Sequence, residues 1–360
     1  MRLIVFFVIA WFIISCKSVS DEQVMEYDVC IYGGTSAGVI AAYSAAKLGK
    51  SVILIEPGKH LGGLTSGGLG YTDIGNKFAI SGLSRDFYRK IGKHYGKFEQ
   101  WIFEPHVVEA LFNGYIKSAN IPVLFEHRLI SAEKRESLIN KIKVEDVASD
   151  PAMEKTVTAK MFIDCSYEGD LMAKAGVTYI VGRESNDTYN ETYNGVQLLD
   201  QHQFPNGVDP YKIPGDPTSG LLWGISDAPL DPNGTGDKKV QAYNFRICLT
   251  GDPANLIPIT RPEGYDSTWY ELLVRLMKAQ PEKKKLNDYC IVSSMPNHKT
   301  DINNRGGFST DMIGMNYEYP ESSYEARAEI IKRHVTYTKG FLYFLGHDTR
   351  VPVELREELK

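Results

Sequence analysis

Tyr27–Glu56 reads YDVCIYGGTSAGVIAAYSAAKLGKSVILIE, and this stretch decides the fold. Tyr27–Tyr32 and Ser51–Ile55 are nearly continuous apolar runs, as expected of strands in a sheet covered on both faces. Between them Ser36–Leu48 forms an alanine-rich helix, whose Ala41, Ala42, Ala45 and Ala46 let it lie close on the sheet. A strand, helix and strand of this length make a parallel crossover. Gly33-Gly34-Thr35-Ser36-Ala37-Gly38 joins the first strand to the helix. A dinucleotide turn needs a first glycine to bend tightly and a small third residue for close approach to a pyrophosphate. It needs a sixth glycine for close helix–strand packing. Gly33 and Gly38 meet the first and last demands. Thr35 departs at the third position, where it either crowds the phosphates or offers them a hydroxyl. The helix start adds unpaired N–H groups and a partial positive charge. Glu56 ends the second strand about twenty residues on, where a carboxylate accepts from ribose hydroxyls and repels a 2′-phosphate. NADP is therefore disfavoured at this position.

The next segment, PGKHLGGLTSGGLG, places Gly58, Gly62, Gly63, Gly67, Gly68 and Gly70 in quick succession. So many glycines suit neither a helix nor a strand interior. They fit a flexible loop, or a backbone that skirts a bulky planar ligand. Coming directly after Glu56, they favour FAD over NAD. Gly62, Gly63, Ser66 and Gly67 are the candidate contacts there.

Farther on, Glu104–Ser118 reads as a helix, Ile121–Phe125 as a strand, and Leu129–Val147 as antiparallel strands. Thr156–Asp164 reads as a strand entering a buried sheet. Gln203–Thr260 is dense in Gly, Pro, Asp and Asn, which marks loops with short strands. Trp269–Ala279 and Ser323–Tyr337 are amphipathic helices, the second with a serine cap and early glutamates. Pro352 opens a helix that has barely begun at Lys360, the mark of a truncated chain or else of a short frayed terminal helix. The fold class is α/β: a Rossmann-type FAD-binding domain, with a parallel sheet and an antiparallel insertion, over residues 26–185. An α+β substrate region over 186–360 follows, and it reads as truncated at its C-terminus.

Taken in order, YGGTSAGVIAA, Glu56, GGLTSGGLG, FIDCSYEGDLMAKAGV, GRES, VQAYNFRICLT and MPNHKTDINN followed by FSTD resemble the FAD-dependent oxidoreductases of glutathione-reductase-like fold. Within them the chain is similar to a secreted bacterial group sometimes labelled xanthan lyase. The resemblance runs from Tyr27 to the end. It implies FAD as cofactor and places the turn after Phe162–Asp164 near the pyrophosphate and ribose. Asp164 and Asp170 become either cofactor contacts or helix caps, and the backbone of Arg128-Leu129 a contact for adenine. Members of this fold usually return late in the chain with a final strand and helix that close around the flavin. No such return is legible before Lys360. An iron–sulfur cluster, known in more distant relatives, is not supported by the cysteine spacing.

The first residues describe export. Met1-Arg2, an apolar run from Leu3 to Ile14 and a small residue at Ser15 read as a signal peptide over 1–15. Ile13-Ile14-Ser15-Cys16 resembles a bacterial lipobox, with residues 16–25 as a polar tether. A membrane partner through lipidated Cys16 follows, and a plain secretory signal or a single anchor helix is the alternative. Of the other cysteines, Cys30 and Cys165 sit in apolar runs as small core residues. Cys248 and Cys290 leave a disulfide open. The net charge of −5 shows no basic face for nucleic acid. The short run Lys283-Lys284-Lys285 reads as a solvated helix end or loop.

A flavin brings the redox chemistry, and the protein supplies binding, orientation and electrostatics. The substrate-side candidates are His60 beside the glycine loop, Arg183, Arg246, His298, Lys299, Asp301, Asn303 and Asn304. The arginines grip carboxylates of an acidic sugar or a flavin anion, or else serve structural ion pairs. Asp301 with His298 makes a candidate acid/base pair. Three functions are compatible with these residues. The first is FAD-dependent oxidation or reduction of a small, carbohydrate-derived molecule, with an unidentified electron acceptor. The others are a polysaccharide lyase and a nucleotide-binding lipoprotein without catalysis.

Overall fold

The computed structural model describes residues 24–360; Cys16 and the apolar run before it lie outside the described residues. The chain begins with β1 (Val24–Tyr32), α1 (Ser36–Lys47), β2 (Val52–Glu56), α2 (Gly82–His94), α3 (Pro105–Ser118) and β3 (Val123–Phe125). It continues with β4 (His127–Arg135), β5 (Leu138–Asp146), β6 (Met153–Asp164) and a short α4 (Asp170–Lys174). These strands form one sheet in the order β3-β2-β1-β6-β5-β4. β3, β2, β1 and β6 run parallel, while β5 and β4 form an antiparallel hairpin on the far side of β6. The expected parallel sheet with an antiparallel insertion is therefore present. β1 starts at Val24, so the last two residues assigned to the tether belong to the strand.

The period-2 rule explains why β1 and β2 carry no polar face. Ile31, Val52 and Leu54 pack with Val39 of α1 and with Val108 and Phe112 of α3. Cys30, Tyr32, Ile53 and Ile55 point the other way, onto Leu129, Val144, Val157 and Leu171. Each face thus has its own core, and the sheet is buried between them.

The second half holds a one-turn α5 (Asn186–Tyr189), a hairpin of β7 (Tyr211–Ile213) and β8 (Asp216–Leu221), and α6 (Glu271–Ala279). A one-turn α7 (Leu286–Tyr289), a hairpin of β9 (Cys290–Met295) and β10 (Lys299–Asn304), α8 (Tyr324–His347) and α9 (Val353–Leu359) complete it. A separate core forms here around Tyr270, Leu273, Phe308, Tyr337, Phe341 and Leu355. α8 runs ten residues past the expected Tyr337, because Phe341, Phe344 and Leu345 extend its buried stripe into this core. The disulfide left open between Cys248 and Cys290 is absent. Cys248 is exposed, Cys290 is fully buried, and both are free thiols. Burial pushes the Cys290 and Cys30 thiols up to about 12, so both behave as small apolar residues.

Candidate cofactor site

The crevice opens where β1, β2 and β6 end. Gly33 turns with φ 98°, and a side chain there would meet the Ser166 backbone nitrogen at 2.5 Å. The sixth position is tighter still: a Cβ on Gly38 would stand 1.9 Å from the Gly33 carbonyl oxygen. Both glycines are required by contact between backbones, as the sequence pattern anticipated.

Thr35 serves the turn itself. Its hydroxyl donates to the Cys165 carbonyl at 2.8 Å and accepts from the Gly38 N–H at 3.3 Å. The residue caps α1 and is buried, so its hydroxyl is spent inside the protein rather than on a phosphate. Ala37 stands exposed in the first turn of α1, beside half-buried Ser36, where first-turn N–H groups have no intrahelical acceptor.

Glu56 faces this turn. One carboxylate oxygen accepts from the Gly34 N–H at 2.6 Å and the other from the Gly58 N–H at 2.6 Å. A carboxylate has about four acceptor positions, so a pair of hydroxyls can still be received. Burial raises the Glu56 carboxyl above the ordinary glutamate value of 4.5, against the pull of the two N–H donors.

The glycine loop closes the crevice from the third side. The Gly62 N–H donates to the Gly34 carbonyl at 2.8 Å, and Gly62 pairs in parallel with Thr35. Ser66 turns its hydroxyl back to the Leu61 carbonyl at 2.6 Å, and the Gly67 N–H donates to the Gly63 carbonyl at 2.9 Å. The loop is thus a compact set of turns, with Ser66 and Gly67 engaged inside it.

A family model described as FAD dependent oxidoreductase matches residues 28–356. The chain belongs to that family. Over 86 residues it is 31% identical to a thiamine thiazole synthase of Pyrococcus horikoshii, covering 24% of this chain and 32% of that protein. It is also similar to a geranylgeranyl bacteriochlorophyll reductase-like structure from Thermoplasma acidophilum, with 21% identity, TM-score 0.32 and 43% of each chain covered. An L-proline dehydrogenase from P. horikoshii overlaps 45% of this chain and 59% of its own, with 12% identity and TM-score 0.35. The chain spans about a third of the curated relative and less than two thirds of these structures.

Membership makes FAD the cofactor, and the crevice fits it. A glycine turn too tight for side chains, an exposed helix start and a half-engaged carboxylate are what a diphosphate and a ribose require.

Several other site candidates occupy structural posts. Asp164 accepts from the Ser166 N–H and hydroxyl at 2.9 and 2.6 Å and from the Met172 N–H at 2.9 Å. These bonds hold the turn that presses on Gly33 and tie it to the first turn of α4. Asp170 forms a two-pronged ion pair with Arg327 of α8 at 2.8 and 2.9 Å. The Leu129 N–H donates to the Tyr32 hydroxyl and its carbonyl accepts from the Tyr324 hydroxyl, which leaves one acceptor position of the carbonyl for adenine. Arg128 pairs with Glu145 and lies over the Tyr324 ring.

Most of the substrate-side candidates also have partners within the protein. His60 is exposed and pairs with Glu109 of α3 at 2.7 Å. Arg183 grips Asp237 with two nitrogens, and Arg246 is tied to fully buried Asp301 at 2.7 Å. Lys299 pairs at 2.5 Å with Glu104, which is 1% exposed. Asn304 donates to Asp311. His298 stands exposed in the β9–β10 turn, so it does not form the expected acid/base pair with Asp301. His298→Asn, which tolerates the φ of 58° at this position, should accordingly change the unfolding free energy by less than about 0.5 kcal/mol. Denaturant melts of the single and double variants check this: a coupling energy between His298 and Asp301 would contradict it.

Sequence reasoning missed Tyr167 and Glu168. The Tyr167 hydroxyl accepts from the Leu64 N–H, and Glu168 accepts from the Tyr319 hydroxyl at 3.1 Å. Both lie in the CSYEGD turn. An aromatic side chain among small and acidic residues was the available signal.

Proposed function

We propose that this chain binds FAD along the crevice and uses it to oxidise or reduce a small molecule. The observation that carries the reading is the Gly33–Gly38 turn with Glu56 bonded to its second glycine. When bound, FAD supplies the two-electron redox chemistry. The chain's own part is to seat the diphosphate at the first turn of α1 and to receive ribose hydroxyls on Glu56. A carbohydrate-derived substrate rests on resemblance to the secreted group. Arg183 and Arg246, which would have gripped an acidic sugar, have carboxylate partners within the protein. The lyase alternative rests on the label of that same group, and an assay of a uronate-containing polymer for new unsaturated ends tests it. Attachment to a membrane through lipidated Cys16 is part of the same proposal, and the mass of the mature N-terminal peptide tests it.

A purified preparation should be yellow, with flavin bands that bleach on reduction. A colourless protein that refuses added FAD would overturn the reading. Glu56→Gln should weaken FAD binding by about ten- to a hundredfold, the equivalent of about 1.5–3 kcal/mol for hydrogen bonds to a charged group. The pH dependence has a definite sign. The charged carboxylate is the acceptor, and burial raises its pKa. FAD affinity should therefore fall as pH drops through a value above 4.5, and Glu56→Gln should lack this step. Fluorescence titrations at several pH values check both statements.

A further inference from the structure

Three segments meet in a ring of contacts at the amino end of α1. The Thr35 hydroxyl reaches Cys165, and Gly33 lies against Ser166. Gly62 pairs with Thr35 on the other side. Tyr167 completes the ring: its hydroxyl accepts from the Leu64 N–H at 2.7 Å. The side chain therefore passes from the turn over Gly33 to the glycine loop. Gly63 makes this passage possible, since a Cβ there would collide with the Tyr167 hydroxyl and ring. Tyr167 is nonetheless 59% exposed. None of the three cores holds it, and the bond to Leu64 is its one hydrogen bond among those seen in the described residues.

We infer that Tyr167 is a clasp across the mouth of the crevice, fastened on Leu64, and that it governs the rate at which FAD passes in and out. The inference rests on the FAD-binding reading of this site. A side chain that crosses the mouth and is tied at its tip raises the barrier in both directions. Untying it speeds entry and escape together and leaves the equilibrium nearly where it was. A side chain that instead contributes an ordinary contact to the bound cofactor changes escape alone, and affinity with it.

The test is stopped-flow FAD association and dissociation by flavin fluorescence, on the full chain, with wild type and Tyr167→Phe. The phenylalanine keeps the ring and removes the fastening. Both rates should rise about fivefold, the worth of one neutral hydrogen bond, while Kd changes less than either rate. Gly63→Ala breaks the same bond from the loop side and should shift both rates in the same direction. Unchanged rates in Tyr167→Phe overturn the clasp. So does faster dissociation alone with a matching loss of affinity. A wild-type chain whose titration with FAD is silent overturns the cofactor reading and the clasp with it, and is distinguished by that silence.

Discussion

Gly38→Ala is expected to cost about 3 kcal/mol of folding stability, the upper part of the range for overpacking, and to abolish FAD uptake. Two effects oppose each other. Alanine in a helix interior is favoured over glycine by about 1 kcal/mol. Against this, the new methyl would stand 1.9 Å from the Gly33 carbonyl oxygen and 3.3 Å from the Cys165 Cβ. Relief requires moving α1 away from β1, and that displaces the turn meant for the diphosphate. The clash wins because backbone atoms cannot rotate aside as a flexible side chain can. Urea melts and FAD titrations measure the two losses. Gly75→Ala, where nothing lies within 4 Å of an added Cβ, is the matched control. If both variants melt together, the close-contact account of the motif fails.

Asp301→Ala should be more damaging still, with a loss of about 3–5 kcal/mol, as for other broken buried ion pairs. Asp301 is fully buried, holds Arg246 through one carboxylate oxygen, and accepts from the Tyr71 N–H at 3.1 Å through the other. Removing it strands a guanidinium that is only 17% exposed and frees the end of the glycine loop from β10. Replacing both partners, Arg246→Met with Asp301→Leu, should recover most of the loss, because no unpaired charge remains. Thermal and denaturant unfolding of the single and the double variant decides the matter. A single variant as stable as wild type would return Asp301 to the list of free catalytic groups.

The helices and strands around the motif were legible because their apolar periods are strong. Ser36–Leu48, Glu104–Ser118 and Thr156–Asp164 coincide with α1, α3 and most of β6. α2 had no counterpart in that reading, although Phe87 and Ile91 stand one turn apart and are both buried. Its many charged residues conceal a narrow stripe that only α3 and the aromatic cluster of Phe87, Phe103 and Phe112 make sense of. The polar candidates fared differently. Arg183, Arg246, Asp170 and Asp301 all found partners between 54 and 157 residues away along the chain. No local pattern encodes such a pairing.

By itself the sequence determined the crossover, the glycine turn and the carboxylate at the end of the second strand. These depend on neighbours within a few tens of residues and on the steric limits of the backbone. Only the tertiary structure decided which charges are spent on one another, and that Thr35 serves the turn while Tyr167 spans it. Those outcomes turn on distances between segments brought together by burial, and burial of apolar surface carries no direction of its own.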